Sequence, residues 1–306
     1  MDSQSLNSQV ISEDQCTSSA KNREANKSLE SKLRVSLGAH EFFSPEMWKA
    51  ALTELTATAC LLFTLTTSII ACLDSHESDP KLLVPFAVFI IAFLFLLVTV
   101  PLSGGHMSPV FTFIATLKGV ITLSRALIYI FSQCIGSIIC FLIIKSVMQQ
   151  RLADSYYLGG CAISDMKKEK ALLLEFCCTF VVLFVGVTLA FDKRRSKDLG
   201  LPMVCVVVAG AMAVAVFVSI TVTGQVGYAG VGLNPARCLG PALLQGGPLW
   251  NGHWIFWVGP FLACLLYYGV SINLPTEDLV CVAGEGDILK LGLDLCSAKL
   301  AGSIRD

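Results

Sequence analysis

The sequence predicts an all-α membrane protein, with six transmembrane helices and two re-entrant half-helices arranged as an inverted repeat. Three observations carry this expectation. Of 306 residues, 54% are hydrophobic and 15% charged, with a mean hydropathy of +0.69, whereas soluble domains carry about 25% charged residues. The apolar residues gather into six blocks of about 20, each long enough to cross a hydrocarbon core of about 30 Å. Two further apolar segments are too short to cross, and each follows a Gly-rich approach and an X-Pro step.

In chain order, residues 1–46 form a polar tail in which Lys21, Arg23, Lys27, Lys32 and Arg34 mix with acids. No apolar run opens the chain, so no cleavable signal peptide is expected. A first repeat is expected over 47–148, with spans at 48–72, 81–101 and 121–147 and a half-helix at 108–118 inside SGGHMSPVFTFIATLKG. A connecting loop covers 149–169. A second repeat follows over 170–271, with spans at 170–191, 202–222 and 251–271. Its half-helix, 234–244, lies inside TGQVGYAGVGLNPARCLGPALLQGG, and a tail covers 272–306.

The half-helix starts carry the chemistry. Asn234 reads as a cap and Pro235 as the first helical residue, whose missing N–H would go unpaired anyway. A helix that starts inside a membrane aims its positive dipole end and open N–H groups at whatever lies in front of it. Arg237, three residues on, adds a full charge at the same mouth, which is costly in lipid and therefore belongs on a watery path. Ser108, Pro109 and Val110 open the other segment as Asn234, Pro235 and Ala236 open this one. Glu54 precedes Ser108 by 54 residues and Glu175 precedes Asn234 by 59. Three spans separate the copies, an odd number, so the second is inserted upside down and the broken helices meet near the midplane.

Orientation follows from Lys and Arg in short loops. DKRRSKD after the fourth span and Lys118 and Arg125 beside the third place both termini in the cytoplasm. DSHESDPK, after the first span, is mostly acidic and agrees. Lys167, Lys168 and Lys170 weaken the vote without reversing it. The net charge of −1 offers no surface for nucleic acid. No nucleophile–base pair and no His/Cys cluster with metal spacing stands out, so no enzyme activity, cofactor or metal is expected. Of 13 cysteines, Cys60, Cys134, Cys140, Cys177, Cys178, Cys205 and Cys264 lie in apolar runs and read as small buried hydrophobes.

The chain resembles the major intrinsic protein family, the aquaporins and their relatives, over about residues 47–272. The resemblance rests on Ser103-Gly104-Gly105-His106, on Asn234-Pro235-Ala236-Arg237, on Arg125, Tyr129, Gln133 and Gly136, and on HWIFWVGP at 253–260. Within the family it is similar to the plant X intrinsic proteins, by Cys238 after the Arg, by the altered first motif and by the Gly159-Gly160-Cys161 step. The resemblance implies an aquaporin-like fold, a homotetramer in membrane lipid with one pore per subunit, and passive conduction of water or small neutral solutes. Plasma-membrane placement is expected.

Counted from the motifs, the family's selectivity filter falls on Val88, Val222, Val231 and Arg237. Valines in place of the aromatic residue and His of strict water channels imply a wider, less polar constriction. Glycerol, urea, boric acid and hydrogen peroxide suit it. Ser108 offers the pore one hydroxyl proton where the family's usual Asn offers two amide donors. The family suggests that Glu54 ties down the loop holding His106, and Glu175 the loop before Asn234. Cys161 is either half of a link between subunits or a lone extracellular thiol, and Cys238 reads as a small packing residue. Ser196, after Lys193-Arg194-Arg195, is a candidate for regulatory phosphorylation, against the plainer reading of a topology-setting basic loop. Other readings are a water-selective channel, a non-conducting structural subunit and a secondary transporter. The last would need midplane acids that the re-entrant segments do not have.

Overall fold

The computed structural model describes residues 31–32, 35–75, 82–163, 166–223 and 230–273, with the backbone alone for 221–223. Most of both expected tails and the side chain of Val222 lie outside the described residues.

The main helices among the described residues are α1 Pro45–Leu73, α2 Leu83–Ser103, α3 Pro109–Leu117, α4 Leu123–Val147, α5 Gln150–Ser155, α6 Lys168–Phe191, α7 Lys193–Thr223, α8 Pro235–Gln245 and α9 Ile255–Ser271. Six are long and apolar enough to cross a membrane: α1, α2, α4, α6, α7, and α9 with its leading turn. Helices answer the demand of lipid, because every interior N–H and C=O pairs within the segment. The nine residues of α3 and eleven of α8 are too few to cross.

The repeats pack alike. Gly136 on α4 lies against the Leu55 carbonyl of α1, where a Cβ would collide with the backbone. Gly259 on α9 repeats the contact against α6, where a Cβ would stand 3.3 Å from the Leu172 carbonyl oxygen. Small residues let helices approach closely where lipid supplies no hydrophobic drive. The repeats join through α2 and α7, around Ala92, Leu96, Val204, Cys205, Val208 and Ala209.

Three details differ from expectation. The basic segment after the fourth span is helical rather than a loop. Asp192 accepts from the N–H groups of Arg194 and Arg195, each at 3.0 Å, and so caps the first turn of α7. Gly200, at φ 73°, then bends the chain into the membrane part of that helix. The connecting segment carries the short α5 and a turn through Tyr157 and Leu158, both at positive φ. Cys140, Cys178, Cys205 and Cys264 are buried as expected, but Cys60 and Cys177 are exposed, on outward sides of α1 and α6. The apolar run marks those outward faces as strongly as the core, because lipid also selects apolar side chains.

Candidate functional site

The starts of α3 and α8 meet. Ser108 caps α3, its Oγ accepting from Val110 N at 3.3 Å, and its carbonyl accepts from Thr112 N at 3.1 Å. Asn234 caps α8, its Oδ1 accepting from Ala236 N at 3.0 Å and Arg237 N at 3.4 Å. Its amide Nδ2 reaches across and donates to the Met107 carbonyl at 2.8 Å. Two positive helix ends therefore converge on one place. Their negative ends carry lysines: Lys118 follows the last residue of α3, and Lys145 donates to the Leu244 carbonyl near the end of α8 at 2.7 Å.

Before each cap the backbone makes the same turn. Met107 and Leu233 hold φ of 46° and 54°, a region that side-chain-bearing residues enter at a cost of about 1–3 kcal/mol unless their surroundings impose it. A buried carboxylate imposes it in each repeat. Glu54 accepts from His106 N at 3.0 Å and Met107 N at 2.6 Å. Glu175 accepts from Gly232 N at 2.6 Å and Leu233 N at 3.4 Å. Both acids are 0% exposed. A re-entrant loop leaves such N–H groups without a helix partner, and lipid offers none.

Four residues after each cap stand Thr112 and Cys238. Thr112 Oγ1 accepts from Gln133 Nε2 at 2.9 Å and lies 3.2 Å from His106 Nδ1. Gln133 also donates to Glu54 at 2.8 Å, as does Ser103 Oγ at 2.6 Å, while the Tyr129 hydroxyl holds the Ser103 carbonyl at 3.0 Å. Cys238 is instead joined to Cys161 in a disulfide, with Cα atoms 5.1 Å apart. This corrects both cysteine expectations: Cys161 is neither a lone thiol nor a link between subunits, and Cys238 does more than pack. The connecting segment folds inward onto the first turn of α8 and brings the two sulfurs together.

The remaining candidates sit as follows. Arg237 is 6% exposed, and its Nη1 donates to Cys161 Sγ at 3.1 Å. Val231 is buried, its N–H held by Ser219 Oγ at 3.1 Å. Val88 is buried on α2. Pro109, Pro235 and Ala236 are buried in the first turns of the half-helices. Val110 packs with Leu183, Cys264 and Tyr267, so its side chain fills the protein between α3 and α9. Crossed hydrogen bonds lock the half-helices in place: Ser137 Oγ of α4 donates to the Ala236 carbonyl at 2.5 Å, and Cys264 Sγ of α9 to the Val110 carbonyl at 3.7 Å. On the side of the basic turn, a cavity of about 480 Å³ runs past Ser196, Lys197 and Val187 to Phe111, Gly104 and His106.

The family profile described as Major intrinsic protein matches residues 41–267. The chain belongs to that family. A PIP-type aquaporin of Atriplex canescens is 33% identical over 228 residues, covering 71% of this chain and 77% of that protein. The probable aquaporin TIP3-2 of Arabidopsis thaliana is 32% identical over 256 residues, covering 78% and 90%. Among solved structures, the aquaglyceroporin of Plasmodium falciparum superposes with a TM-score of 0.64 at 17% identity, over 74% of this chain and 96% of that one, which is a likeness of fold. As a major intrinsic protein, the chain is a multi-pass membrane channel and not an enzyme.

Two features escaped the sequence reading: the disulfide, and Gly232 in the place where the first repeat has His106. Numbering both repeats from their caps brings out the second, because Gly232 then falls opposite His106, and sets Cys238 opposite Thr112 without pointing to Cys161.

Proposed function

We propose that the chain is a passive channel for small uncharged solutes (glycerol, urea, boric acid and hydrogen peroxide), with water as a minor permeant and with ions and protons excluded. The observation that carries the reading is the convergence of two half-helix N-termini, joined by the Asn234–Met107 hydrogen bond, with Arg237 buried beside one of them. A fixed positive potential in a narrow, poorly screened passage repels cations strongly. In this reading Val88, Val222, Val231 and Arg237 form the constriction, Ser108 and Asn234 the central station, and Glu54, His106 and Glu175 the loop anchors. Valine walls opposite one guanidinium suit molecules that have a carbon face and several hydroxyl or amide groups.

The finer placement within the family is the plant X intrinsic group, supported by Cys238 after Arg237 and by Ser108-Pro109-Val110. Both termini lie in the cytoplasm of a plasma-membrane homotetramer. Ser196, on the wall of the basic-side cavity, is the site at which a phosphate, with about −1.5 to −2 charge, would act on the entrance.

The test is uptake by vesicles containing the purified protein, with each solute and with water, in the presence and absence of proton and sodium gradients. Expected are non-saturating fluxes of glycerol and urea that ignore both gradients, and proton leakage in Arg237→Val. Flux that follows an ion gradient overturns the reading. Water flux alone supports the water-selective alternative, and no flux at all the structural one.

A further inference from the structure

Cys161 lies in the connecting segment before α6, and Cys238 in the first turn of α8 beside Arg237. The approach carrying Val231 runs directly over the bond between them. A Cβ on Gly232 would stand 2.6 Å from Cys238 Sγ and 3.4 Å from Cys161 Sγ, so only glycine lets the backbone pass so close. The guanidinium of Arg237 donates to Cys161 Sγ. Ile163, Ile255 and Phe256 enclose the bridge, and both cysteines are buried. Three chain segments thus meet at one covalent bond: the connecting segment, the Val231 approach and the half-helix.

We infer that the Cys161–Cys238 disulfide is a specificity-determining brace, setting the size cut-off of the constriction by fixing Arg237 against Val231. The inference rests on the channel reading proposed above. Glu175 holds the N–H groups of Gly232 and Leu233, which anchors the approach to α6. That leaves the connecting segment and the first turn of α8 to be set against each other, and the bridge does so. Selection in a passage of molecular width depends on pore diameter and on where the lining donors stand. Cys161 and Cys238 are therefore positioning residues: they act on solutes through Arg237 and Val231.

The experiment compares the wild type with Cys161→Ala/Cys238→Ala in vesicles, measuring the uptake ratio of a four-carbon polyol to glycerol. The ratio is expected to rise about threefold or more as the constriction loosens. A purely structural bond would lower the yield of folded protein and leave the ratio alone, so a folded double variant with the wild-type ratio overturns the brace. If the double variant fails to fold, the wild type is reduced in the vesicles by a small dithiol. Two electrons and two protons pass to the bridge, leaving two cysteine thiols and the cyclic disulfide of the dithiol. Alkylation of the new thiols and mass measurement count the opened bridges, and an unchanged ratio in opened protein overturns the inference equally. A wild type that conducts neither polyol nor water overturns the channel reading and this inference with it.

Discussion

Around Ser108, the turn before the half-helix is fastened by a hydrogen-bonded group of side chains and backbone: Glu54, Ser103, His106, Thr112 and Gln133, with the Tyr129 hydroxyl on the Ser103 carbonyl. Around Asn234, the same turn is fastened by Glu175 and by a disulfide, with a glycine where the network has a histidine. The backbone is what the two regions share, down to a positive φ one residue before each cap. The comparison teaches that the half-helix start is the requirement and the fastening is a local choice. A network works only when all its members are present, because each buried polar group relies on the others. The bridge needs two cysteines and one glycine.

The sharpest way to break this comparison is to remove the two carboxylates in turn. Glu54→Leu strips partners from the N–H groups of His106 and Met107 and from the side chains of Ser103 and Gln133. At about 1–3 kcal/mol for each buried group left unpaired, the variant is expected to yield little folded protein. Glu175→Leu strips Gly232 and Leu233, while the disulfide packed against Gly232 still ties the first turn of α8 to the connecting segment. It should remain foldable, with a lowered thermal midpoint in detergent. Equal losses in the two variants would show that the bridge adds nothing to the second turn.

Next in size is Gly232→Ala. The new methyl would meet Cys238 Sγ at 2.6 Å and Phe256 at 3.1 Å, an overpacking cost of about 1–3 kcal/mol. The midpoint should fall, and adding Cys161→Ala and Cys238→Ala should restore part of it. No restoration would place the conflict at Phe256 and weaken the case that glycine is there for the bridge.

The smallest effect is expected from Thr112→Val, which keeps shape and removes one hydroxyl from the first network, at about 1–2 kcal/mol. Combined with Gln133→Leu in a double-mutant cycle of thermal stability, the losses should be less than additive, because the two side chains share a hydrogen bond. Strict additivity would mean that the first turn is not held by a network.

The fold was legible because lipid imposes a coarse alphabet. Six long apolar blocks, two short ones and a Pro after each cap suffice to place α1, α2, α4, α6, α7 and α9 and the two half-helices between them. Glu54 and Glu175 were legible as members of a repeat, since a buried acid recurring at nearly the same distance before each motif suggests a shared duty. The disulfide was not. Cys161 and Cys238 are separated by 77 residues, and nothing local to either announces the other. Cys238 stands in an apolar helix start where a small packing residue is equally at home. The helical start of α7 was hidden for a different reason: Asp192 followed by a run of basic residues reads as a loop until the carboxylate is seen turning back to cap Arg194 and Arg195. The outward faces of Cys60 and Cys177 were hidden because hydropathy cannot tell a lipid-facing side chain from a buried one.

The bond between Cys161 and Cys238 also changes the covalent topology of the chain. It closes a ring that contains α6, α7 and the exposed basic turn from Lys193 to Lys197. A protease that nicked this turn would leave two fragments still tethered. Under non-reducing conditions they would migrate as one species of full mass, and they would part only when the sulfurs did. Fragment maps of this protein therefore depend on whether the gel is run oxidised or reduced.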